Sequence, residues 1–469
     1  MTVQHFSRRR FLWSAGSGLG SIAFASLSGE RRLMAAAPLD PLAPKQPHFP
    51  PRAKSVIFLF IEGGPSHVDL FDPKPELEKL AGQPLPASFG KVMTAMGTGN
   101  NTLMPSKRTW KQYGQSGIWV SDWYPNIAQH VDDMTVIRSC WQDGLNHVGS
   151  VCEMNTGSIL AGRPALGAWI TYGLGSANRD LPTFVVLTDE DEVIGGAQNW
   201  SSGFLPATFQ GTAFRREGDP VLDLSPQSTV GAKQQRSELD LITDLNKHFS
   251  AARPDDSELQ ARTNSYELAF RMQTAAPEAV NINNESEATK KLYGMDDETT
   301  RKFGANCLLA RRLVERGVRF VEVYCGSGSK WDAHTHIETN HSHLCKVSDQ
   351  PIAALLTDLK ARGLLDSTLV VWGGEFGRTP FNEQGDGRDH NPWGFTMWMA
   401  GGGVKKGFVL GRTDDIGLRF VERPVHVHDL HATIMYLMGL DHLKVTYPHN
   451  GRSERATVTD GEVVKEVVA

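Results

Sequence analysis

A continuous apolar run at residues 55–61, Ser-Val-Ile-Phe-Leu-Phe-Ile, constrains the fold more than any other segment. Its β-branched and aromatic residues show no polar alternation, which predicts a strand buried on both faces of a parallel sheet. The run ends in Glu62-Gly-Gly-Pro-Ser66, a turn at the carboxyl end of that strand. Ligands of open α/β sheets bind at such ends, so Glu62 occupies a candidate functional position.

Further strand patterns alternate with helical patterns along the chain. The predicted strands are 134–137, 183–187, 318–324, 368–372 and 395–400, and the predicted helices are 237–251, 257–272, 298–316, 347–362 and 428–439. This alternation predicts a layered α/β fold. We expect one domain over residues 54–469, in which the more polar stretch of about 201–294 is a helical cap or insertion.

The N-terminus reads as an export signal. Residues 7–12, Ser-Arg-Arg-Arg-Phe-Leu, precede a weakly apolar run rich in Gly, Ser and Ala, which is the twin-arginine pattern. The run is too short and glycine-rich to span a bilayer stably. We predict a signal peptide at 1–37, a Pro-rich linker at 38–53, recognition by the twin-arginine export machinery, and a periplasmic or otherwise exported protein without a stable transmembrane segment.

Composition excludes several other classes of protein. The 469 residues are 40% hydrophobic and 22% charged, as in an ordinary globular protein. The first 37 residues hold five of the 48 basic and one of the 53 acidic residues, so the remainder has a net charge of −9. An acidic body without a basic block argues against nucleic acid as a partner. The five cysteines lack C-x-x-C spacing and indicate neither a disulfide framework nor a cysteine zinc site.

Histidines cluster in the C-terminal third, where ten of the sixteen lie between His334 and His449. The segment Trp-Asp332-Ala-His334-Thr-His336 follows the predicted strand 318–324 across a glycine-rich loop. A carboxylate and imidazoles together suit a divalent metal. We expect Asp332 with His334 or His336 to be ligands, and treat His341 or His343 as weaker candidates beside the alternative of solvated loop histidines.

Two later loops carry similar groups. The strand at 368–372 runs into Gly-Gly-Glu375-Phe-Gly-Arg378, where Glu375 can reach a metal or substrate and Arg378 can pair an anion. A structural Glu–Arg ion pair is the competing interpretation. Gly-Arg388-Asp-His390-Asn-Pro then supplies another acidic and imidazole pair on a loop whose geometry proline and glycine restrict.

His147 follows Asn146 at the predicted start of a helix, where the positive end of the helix dipole favours an anion. This signal is weak by itself. It gains weight only together with the other candidate residues.

These residues, in this order, resemble the alkaline phosphatase and sulfatase superfamily, and more closely its exported bacterial branch, the DUF1501 family. The most specific stretches are GGPSHVDLFDPKP at 63–75, GRPALGAW at 162–169, ARRLVERGVRF at 310–320 and GGEFGRTP at 373–380. The resemblance implies a three-layer α/β/α alkaline phosphatase-like fold with a largely parallel central sheet and metal ligands at the carboxyl ends of its strands.

The resemblance also implies roles for individual residues. Asp332, His334 or His336, and His390 would form one divalent metal site, holding zinc, calcium, magnesium or manganese. Glu62, or Asp69 in its place, would join Glu375 at a second site.

His147 falls where phosphatases of the superfamily have a Ser or Thr nucleophile, so it is expected to be nucleophile, general base or ligand. Arg378 or Arg388 would balance the charge of an anionic substrate.

Two departures from the superfamily pattern bear on activity. Phe376 stands where a ligand histidine is expected, which weakens or removes the second metal. Cys152 lacks the Cys-x-Pro-x-Arg context of formylglycine formation, so that mechanism is disfavoured. The sequence thus predicts an exported metal-dependent hydrolase of a phosphate or sulfate ester, on a small-molecule or polysaccharide substrate. The alternative is a catalytically degenerate member that serves as a binding or assembly protein.

Overall fold

The computed structural model describes residues 40–189, 192–215, 220–221, 224, 231–252 and 257–469. The predicted signal peptide at 1–37 lies outside the described residues. The chain divides into two units at Ala43 and Pro44, and the second, Pro44–Ala469, carries the fold.

A nine-stranded sheet forms the centre of this unit. The strands of the chain are β1 Ser55–Ile61, β2 Trp110–Tyr113, β3 Ile118–Ser121, β4 Met134–Trp141, β5 Phe184–Leu187, β6 Thr212–Phe214, β7 Phe320–Cys325, β8 Thr368–Gly373, β9 Gly377–Arg378, β10 His390–Asn391, β11 Phe395–Gly401, β12 Phe408–Leu410, β13 Arg412–Thr413, β14 Phe420–Glu422, β15 Val425–His426, β16 Thr446–His449 and β17 Arg452–Arg455. The sheet order is β12-β4-β11-β8-β1-β7-β5-β6, and β15 also pairs with β4. Only β11 runs antiparallel to its neighbours among these described strands.

Strand β1 lies between two parallel neighbours, as its unbroken apolar sequence predicts. All seven of its residues are buried. Ile57 is in register with Val321 of β7 on one side and Val370 of β8 on the other. Because every backbone group of β1 can pair with a neighbouring strand, the strand is fixed and its carboxyl end has a defined position.

The helices are α1 His67–Leu70, α2 Pro75–Lys79, α3 His147–Thr156, α4 Leu166–Leu174, α5 Ala232–Ala252, α6 Ser257–Val280, α7 Glu287–Leu292, α8 Arg301–Glu315, α9 Ile337–Ala361 and α10 Val427–Leu437. Short 3₁₀ turns lie at Ala87–Phe89, Thr98–Asn100, Ile127–Asp133, Gly196–Trp200, Ala207–Phe209, Ile282–Asn284, Leu365–Ser367 and Lys465–Val467. Helix α8 buries Cys307, Leu308 and Leu313, the stripe that its helical spacing predicts.

Helices cover both faces of the sheet. On one face, Ile57 and Val321 share a core with Leu308 of α8 and Leu355 of α9. On the other face, α4 packs so closely on β5 that a β-carbon at Gly167 would come within 2.7 Å of the Phe184 ring. The predicted three-layer α/β/α fold with a largely parallel sheet is therefore confirmed.

The domain boundaries of the sequence analysis stay predictions. Within the predicted insertion at 201–294, the described residues include the long helices α5 and α6. Within the predicted linker, Lys45 N donates to the Leu174 carbonyl, and Arg52 N and Ala53 N donate to the Leu437 carbonyl. The later part of that segment is thus hydrogen-bonded to the domain.

The five cysteines are all buried and unpaired. Burial raises the pKa of every one of these thiols, so they are held in the unreactive protonated form. Across the part of the chain that the structure describes, none of the helices combines the length and apolar character needed to cross a membrane.

Candidate metal centre

The candidate site lies where several segments meet beyond the carboxyl ends of the central strands. Glu62 follows β1, Glu375 follows β8, and Asp332 and His334 lie in the loop after β7. His390 is brought in by a short antiparallel pairing of β10 with β9, in which it is opposite Arg378.

Helix α3 contributes His147 as its first residue. The side chain of Asn146 caps this helix by accepting a hydrogen bond from Gly149 N at 3.1 Å. The cap fixes the direction of the helix, and with it the place of the His147 ring.

Three imidazole rings point their Nε2 atoms at one carboxylate, Asp332. Nε2 of His147 is 3.1 Å from Asp332 Oδ2. Nε2 of His334 is 3.0 Å from Asp332 Oδ1, and Nε2 of His390 is 3.2 Å from the same oxygen. We call these four residues the Asp332 cluster.

The other nitrogen of each ring faces an oxygen acceptor. Nδ1 of His147 is 2.6 Å from Glu375 Oε1, and Nδ1 of His334 is 2.7 Å from Glu383 Oε2. Nδ1 of His390 is 3.0 Å from the Leu145 carbonyl. Each Nδ1 therefore carries a proton and donates it. Metal-binding histidines show this arrangement, in which an outer acceptor holds the ring and frees the inner nitrogen.

The inner atoms are spaced as metal ligands are. Nε2 of His334, Nε2 of His390 and Oδ1 of Asp332 form a triangle with edges of 3.0, 3.1 and 3.2 Å. Tetrahedral ligands about 2.0–2.1 Å from a zinc ion are roughly 3.3 Å apart. Asp332 Oδ1 already accepts a hydrogen bond from Arg378. The two Nε2 atoms bear lone pairs once Nδ1 holds the ring proton, so they require extra ring protons or a cation beside this guanidinium.

The pKa shifts of residues in the Asp332 cluster also indicate that positive charge is favoured at its centre. Burial alone would raise the pKa of Asp332, but hydrogen bonds to His147, His334 and His390 hold it well below its usual range. Burial would lower the pKa of His147, but its hydrogen bonds to Asp332 and Glu375 raise it to about 9. Burial lowers the pKa of His390, which favours the neutral ring that a metal needs.

Glycines let the loops approach one another at the end of β1. Gly63 has φ of 119°, and a β-carbon there would lie 2.6 Å from the backbone N of Trp331. Its N–H donates to both carboxylate oxygens of Glu375, at 2.9 and 3.1 Å. The Glu-Gly-Gly turn thus anchors the acceptor that holds His147.

Glu62 is fully buried but bonded elsewhere. Its Oε1 accepts from Ile194 N at 2.6 Å, and its Oε2 accepts from Gly328 N at 3.2 Å. Burial, together with the nearby charge of Glu375, raises the pKa of Glu62 to about 8. Both carboxylate oxygens of Glu62 are therefore already engaged by backbone N–H groups.

The two arginines are buried and paired within the protein. Arg378 donates to Asp332 Oδ1 at 2.6 Å and to the carbonyls of Gly63 and Gly64. Arg388 pairs with Asp69 at 2.9 Å and donates to the Met104 carbonyl. Asp69, the alternative second-site ligand, is thus the partner of Arg388. Arg378 orients the central carboxylate, and neither guanidinium is free for a substrate.

Three other candidate histidines lie outside the cluster. His336 pairs with Asp386 at 2.8 Å, and its side chain is 77% exposed. His341 is buried and accepts a hydrogen bond from Ser66 N, while His343 is exposed on α9. Of the two ligands proposed next to Asp332, the structure brings in His334 and leaves His336 at the surface.

Sequence reasoning missed Glu383 and Leu145. Glu383 lies in a polar loop, Asn-Glu-Gln-Gly-Asp, that no periodicity distinguishes from an ordinary turn. Leu145 acts through its carbonyl, so its side chain gives no signal. Only the presence of ligand histidines, each of which needs an outer acceptor, could have prompted a search for them.

Phe376 stacks on the site. Its ring is 4.5 Å from that of His390, at an interplanar angle of 26°, and 5.0 Å from that of His147. A β-carbon at Gly64 would lie 2.6 Å from this ring. The residue that replaces the expected ligand histidine therefore packs as an apolar wall of the Asp332 cluster.

The family model of the DUF1501 proteins, described as "Protein of unknown function", matches residues 53–468. The chain belongs to this family. No curated protein matches the chain in sequence.

Solved structures resemble it at low sequence identity. The lipoteichoic acid synthase LtaP from Listeria monocytogenes is 9% identical, with a TM-score of 0.38 over 85% of this chain and 76% of that one. The PsFucS1 sulfatase from Pseudoalteromonas sp. is 13% identical, with a TM-score of 0.35 over 87% and 72%. A magnesium-bound mutant of TAB5 alkaline phosphatase is 10% identical, with a TM-score of 0.35 over 84% and 99%.

Proposed function

We propose that this protein is an exported metal-dependent hydrolase of a phosphate or sulfate ester that works without formylglycine. The observation that carries the proposal is the convergence of three Nε2 atoms on Asp332, each ring held from behind by an oxygen acceptor. The substrate class rests on the sequence motifs at 63–75 and 373–380, and the exported location rests on residues 7–12.

The donor set favours zinc among the four metals considered. Three imidazoles and one carboxylate suit zinc or another first-row transition metal, whereas calcium and magnesium prefer oxygen ligands. His334, His390 and Asp332 would hold the ion, with His147 as the further imidazole on the α3 side. When bound, such an ion supplies Lewis acidity and neutralises negative charge on an ester oxygen.

The chain's own residues define how a substrate would be handled. Glu375 accepts a hydrogen bond from the Nδ1–H group of His147, so Nε2 is the atom of that ring left to bind or to accept a proton. His147 also begins α3, whose first N–H groups and dipole favour an anion. Because Arg378 and Arg388 are internally paired, attraction of an anionic ester depends on the Asp332 cluster and on this helix end.

A second function is favoured by Phe376 and the paired arginines. In this alternative the protein keeps the metal centre but has lost turnover, and serves as an exported binding or assembly protein. Phe376 fills the position of an expected ligand, and no hydroxyl or thiol nucleophile stands at His147. Fold resemblance by itself does not establish catalysis.

The test combines metal analysis with turnover. Purified protein lacking residues 1–37 should contain close to one equivalent of a transition metal by mass spectrometry. Asp332→Ala and His390→Ala should lose it, because each removes a corner of the triangle. The same preparations are assayed on an aryl phosphate, an aryl phosphodiester and an aryl sulfate, and hydrolysis should follow metal content across the variants.

His336→Ala is the matched control, since it deletes an imidazole outside the cluster. Metal binding without hydrolysis of any of the three esters would favour the binding or assembly function. A wild-type protein that takes up no zinc, manganese, calcium or magnesium would refute both functions.

A further inference from the structure

Exposed apolar side chains lie on two segments next to the Asp332 cluster. They belong to Met93, Met96, Val148, Ile159 and Leu160, and we call these five residues the apolar rim. Single exposed apolar side chains are normal on a globular protein, but a group of them beside a candidate site indicates a binding surface. The apolar rim is therefore a candidate for the part of the site that recognises a ligand.

Three members of the apolar rim lie at the first turn of α3. Val148 directly follows the candidate ligand histidine at the start of this helix. After α3 the chain reverses at Gly157, which has φ of 76°, and runs back along the helix. A β-carbon at Gly149 would therefore lie 3.6 Å from Cβ of Ile159. Leu160 comes next, and its side chain is 71% exposed.

The two methionines are held close to the cluster through Asp389. Met96 N donates to Asp389 Oδ2 at 2.9 Å, and His390 is the next residue after Asp389. A carboxylate oxygen of Asp389 and a ring nitrogen of His334 lie within 4.8 Å of each other. Met93 precedes Met96 by three residues, and both side chains are exposed. This segment therefore borders the cluster near His334.

The Asp332 cluster is open to solvent along one edge. The side chains of Asp332 and His334 are 24% and 22% exposed, whereas those of His390 and Phe376 are buried. The head group of a ligand must therefore approach along the edge formed by Asp332 and His334. The remainder of the ligand then extends over the neighbouring surface, where the apolar rim lies.

The chemistry of the apolar rim matches an alkyl chain. All five of its side chains are aliphatic hydrocarbons or thioethers, and methionine adapts its shape to flexible apolar partners. Transfer of methylene groups from water onto such side chains is favourable. Arg378 and Arg388 are paired within the protein, so apolar contacts are the main further source of affinity for a substrate.

We propose that the anionic ester bound at the Asp332 cluster carries an alkyl chain, and that the apolar rim binds this chain. The inference rests on the proposed function, because the rim acts on the ligand of the same site. It adds a substrate class, the phosphate or sulfate esters of long-chain alcohols.

The test is isothermal titration calorimetry on the metal-containing protein lacking residues 1–37. Octylphosphonate is compared with methylphosphonate, and octylsulfonate with methylsulfonate, because these analogues contain no ester bond to hydrolyse. For the head group that binds, the octyl analogue should bind about 10-fold or more tightly than the methyl analogue. Each methylene group removed from water strengthens binding about 4-fold, so burial of two groups is sufficient.

A double variant, Met96→Ser with Leu160→Ser, tests the apolar rim. Both side chains are exposed, so folding tolerates a polar replacement. The ratio of octyl to methyl affinity should fall about 3- to 10-fold, because the chain loses apolar contacts. Leu241→Ser is the matched control, since it changes an exposed leucine of α5 outside the apolar rim, and it should leave the ratio unchanged.

Octyl glucoside is the ligand control, because it has the same chain without an anionic group. It should bind more weakly than the octyl anion, and equal binding would overturn the inference. So would a loss of octyl affinity in Leu241→Ser as large as that in the double variant. Equal binding of octyl and methyl anions to a protein that contains metal and hydrolyses an aryl ester would overturn this inference alone. A protein with neither metal nor hydrolysis would refute the proposed function as well.

Discussion

Two groups of histidine and carboxylate residues flank α3, and they differ in what the second nitrogen of each ring contacts. In the Asp332 cluster, every ring donates from Nδ1 to an oxygen and directs Nε2 inward. In the second group, which consists of Asp143, Glu153 and His426, the His426 ring accepts a hydrogen bond at Nδ1 from the backbone N–H of His428. The first arrangement leaves lone pairs at the centre, and the second leaves an N–H group.

The difference predicts that residue types and spacing alone do not decide which of the two groups binds a metal. Both groups contain the same kinds of ligand atoms within close reach of one another. The partner of the outer nitrogen fixes the tautomer, and the tautomer decides whether the inner nitrogen can coordinate.

The largest expected effect comes from deleting one ring in each group. His334→Ala removes a corner of the ligand triangle, so the affinity for zinc should fall by about 1,000-fold or more. His426→Ala should leave zinc affinity unchanged. Both are measured by competition with a chromophoric chelator. Equal losses in the two variants would show that the group of Asp143, Glu153 and His426 also coordinates a metal.

Changing Glu383, which accepts a hydrogen bond from the His334 ring, should have an intermediate effect on zinc affinity. Glu383→Gln keeps an oxygen for the Nδ1 proton of His334 but removes the charge, so zinc affinity should fall about 10- to 100-fold. The chelator titration used for His334→Ala applies here as well. Lys79→Gln, at an exposed pair with Glu76, serves as a surface control. Unchanged affinity in Glu383→Gln would mean that His334 is not a ligand.

Acidification should lower the free energy of unfolding through the buried His431. Burial lowers the pKa of His431 to about 3, against about 6.5 for an unfolded chain. The unfolded state therefore binds one more proton between these values, and the stability that the neutral ring provides is lost as pH falls from 6.5 toward 3.

The His431→Gln variant isolates this contribution. The free energy of unfolding of the wild type should fall by up to about 1.4 kcal/mol more per pH unit than that of the variant. Urea unfolding between pH 6.5 and 4.5 in a chelator measures the two slopes. Parallel slopes would indicate that His431 is protonated in the folded protein.

The smallest effect is expected at His336, which is close in sequence to the candidate ligands Asp332 and His334 but lies outside the Asp332 cluster. Its pair with Asp386 is exposed, so His336→Ala should change stability by less than about 1 kcal/mol. Thermal unfolding is the measurement. A loss of several kcal/mol would assign the residue an unexpected structural role.

The sequence predicted the strands of the central sheet well because their apolar runs are unbroken. Strand β1 was placed at its observed ends, and β8 and β11 each extend one residue further than predicted. The short strands β6, β12 and β15 were missed, since two or three residues carry no periodicity. Helix α9 begins ten residues before its predicted start, where polar residues hide the pattern.

The sequence indicates which residues are candidates for the site, but not where each side chain lies or which partner it contacts. The spacing of Asp332-Ala-His334-Thr-His336 treats the two histidines alike, yet the chain turns at His336, with φ of 54°, and directs it to the surface. The sequence predicts that Arg378 or Arg388 balances the charge of an anionic substrate, whereas in the structure both donate to backbone carbonyls. Such partners are brought together only by the fold, so local sequence carries no signal of them.

The buried, unpaired thiols have a consequence for where the chain can fold. No covalent bond between cysteines has to form for the described structure to be complete, so folding requires no oxidant. The native state is accessible in a reducing compartment. A protein that has already folded there would meet an oxidising environment with its thiols shielded from it.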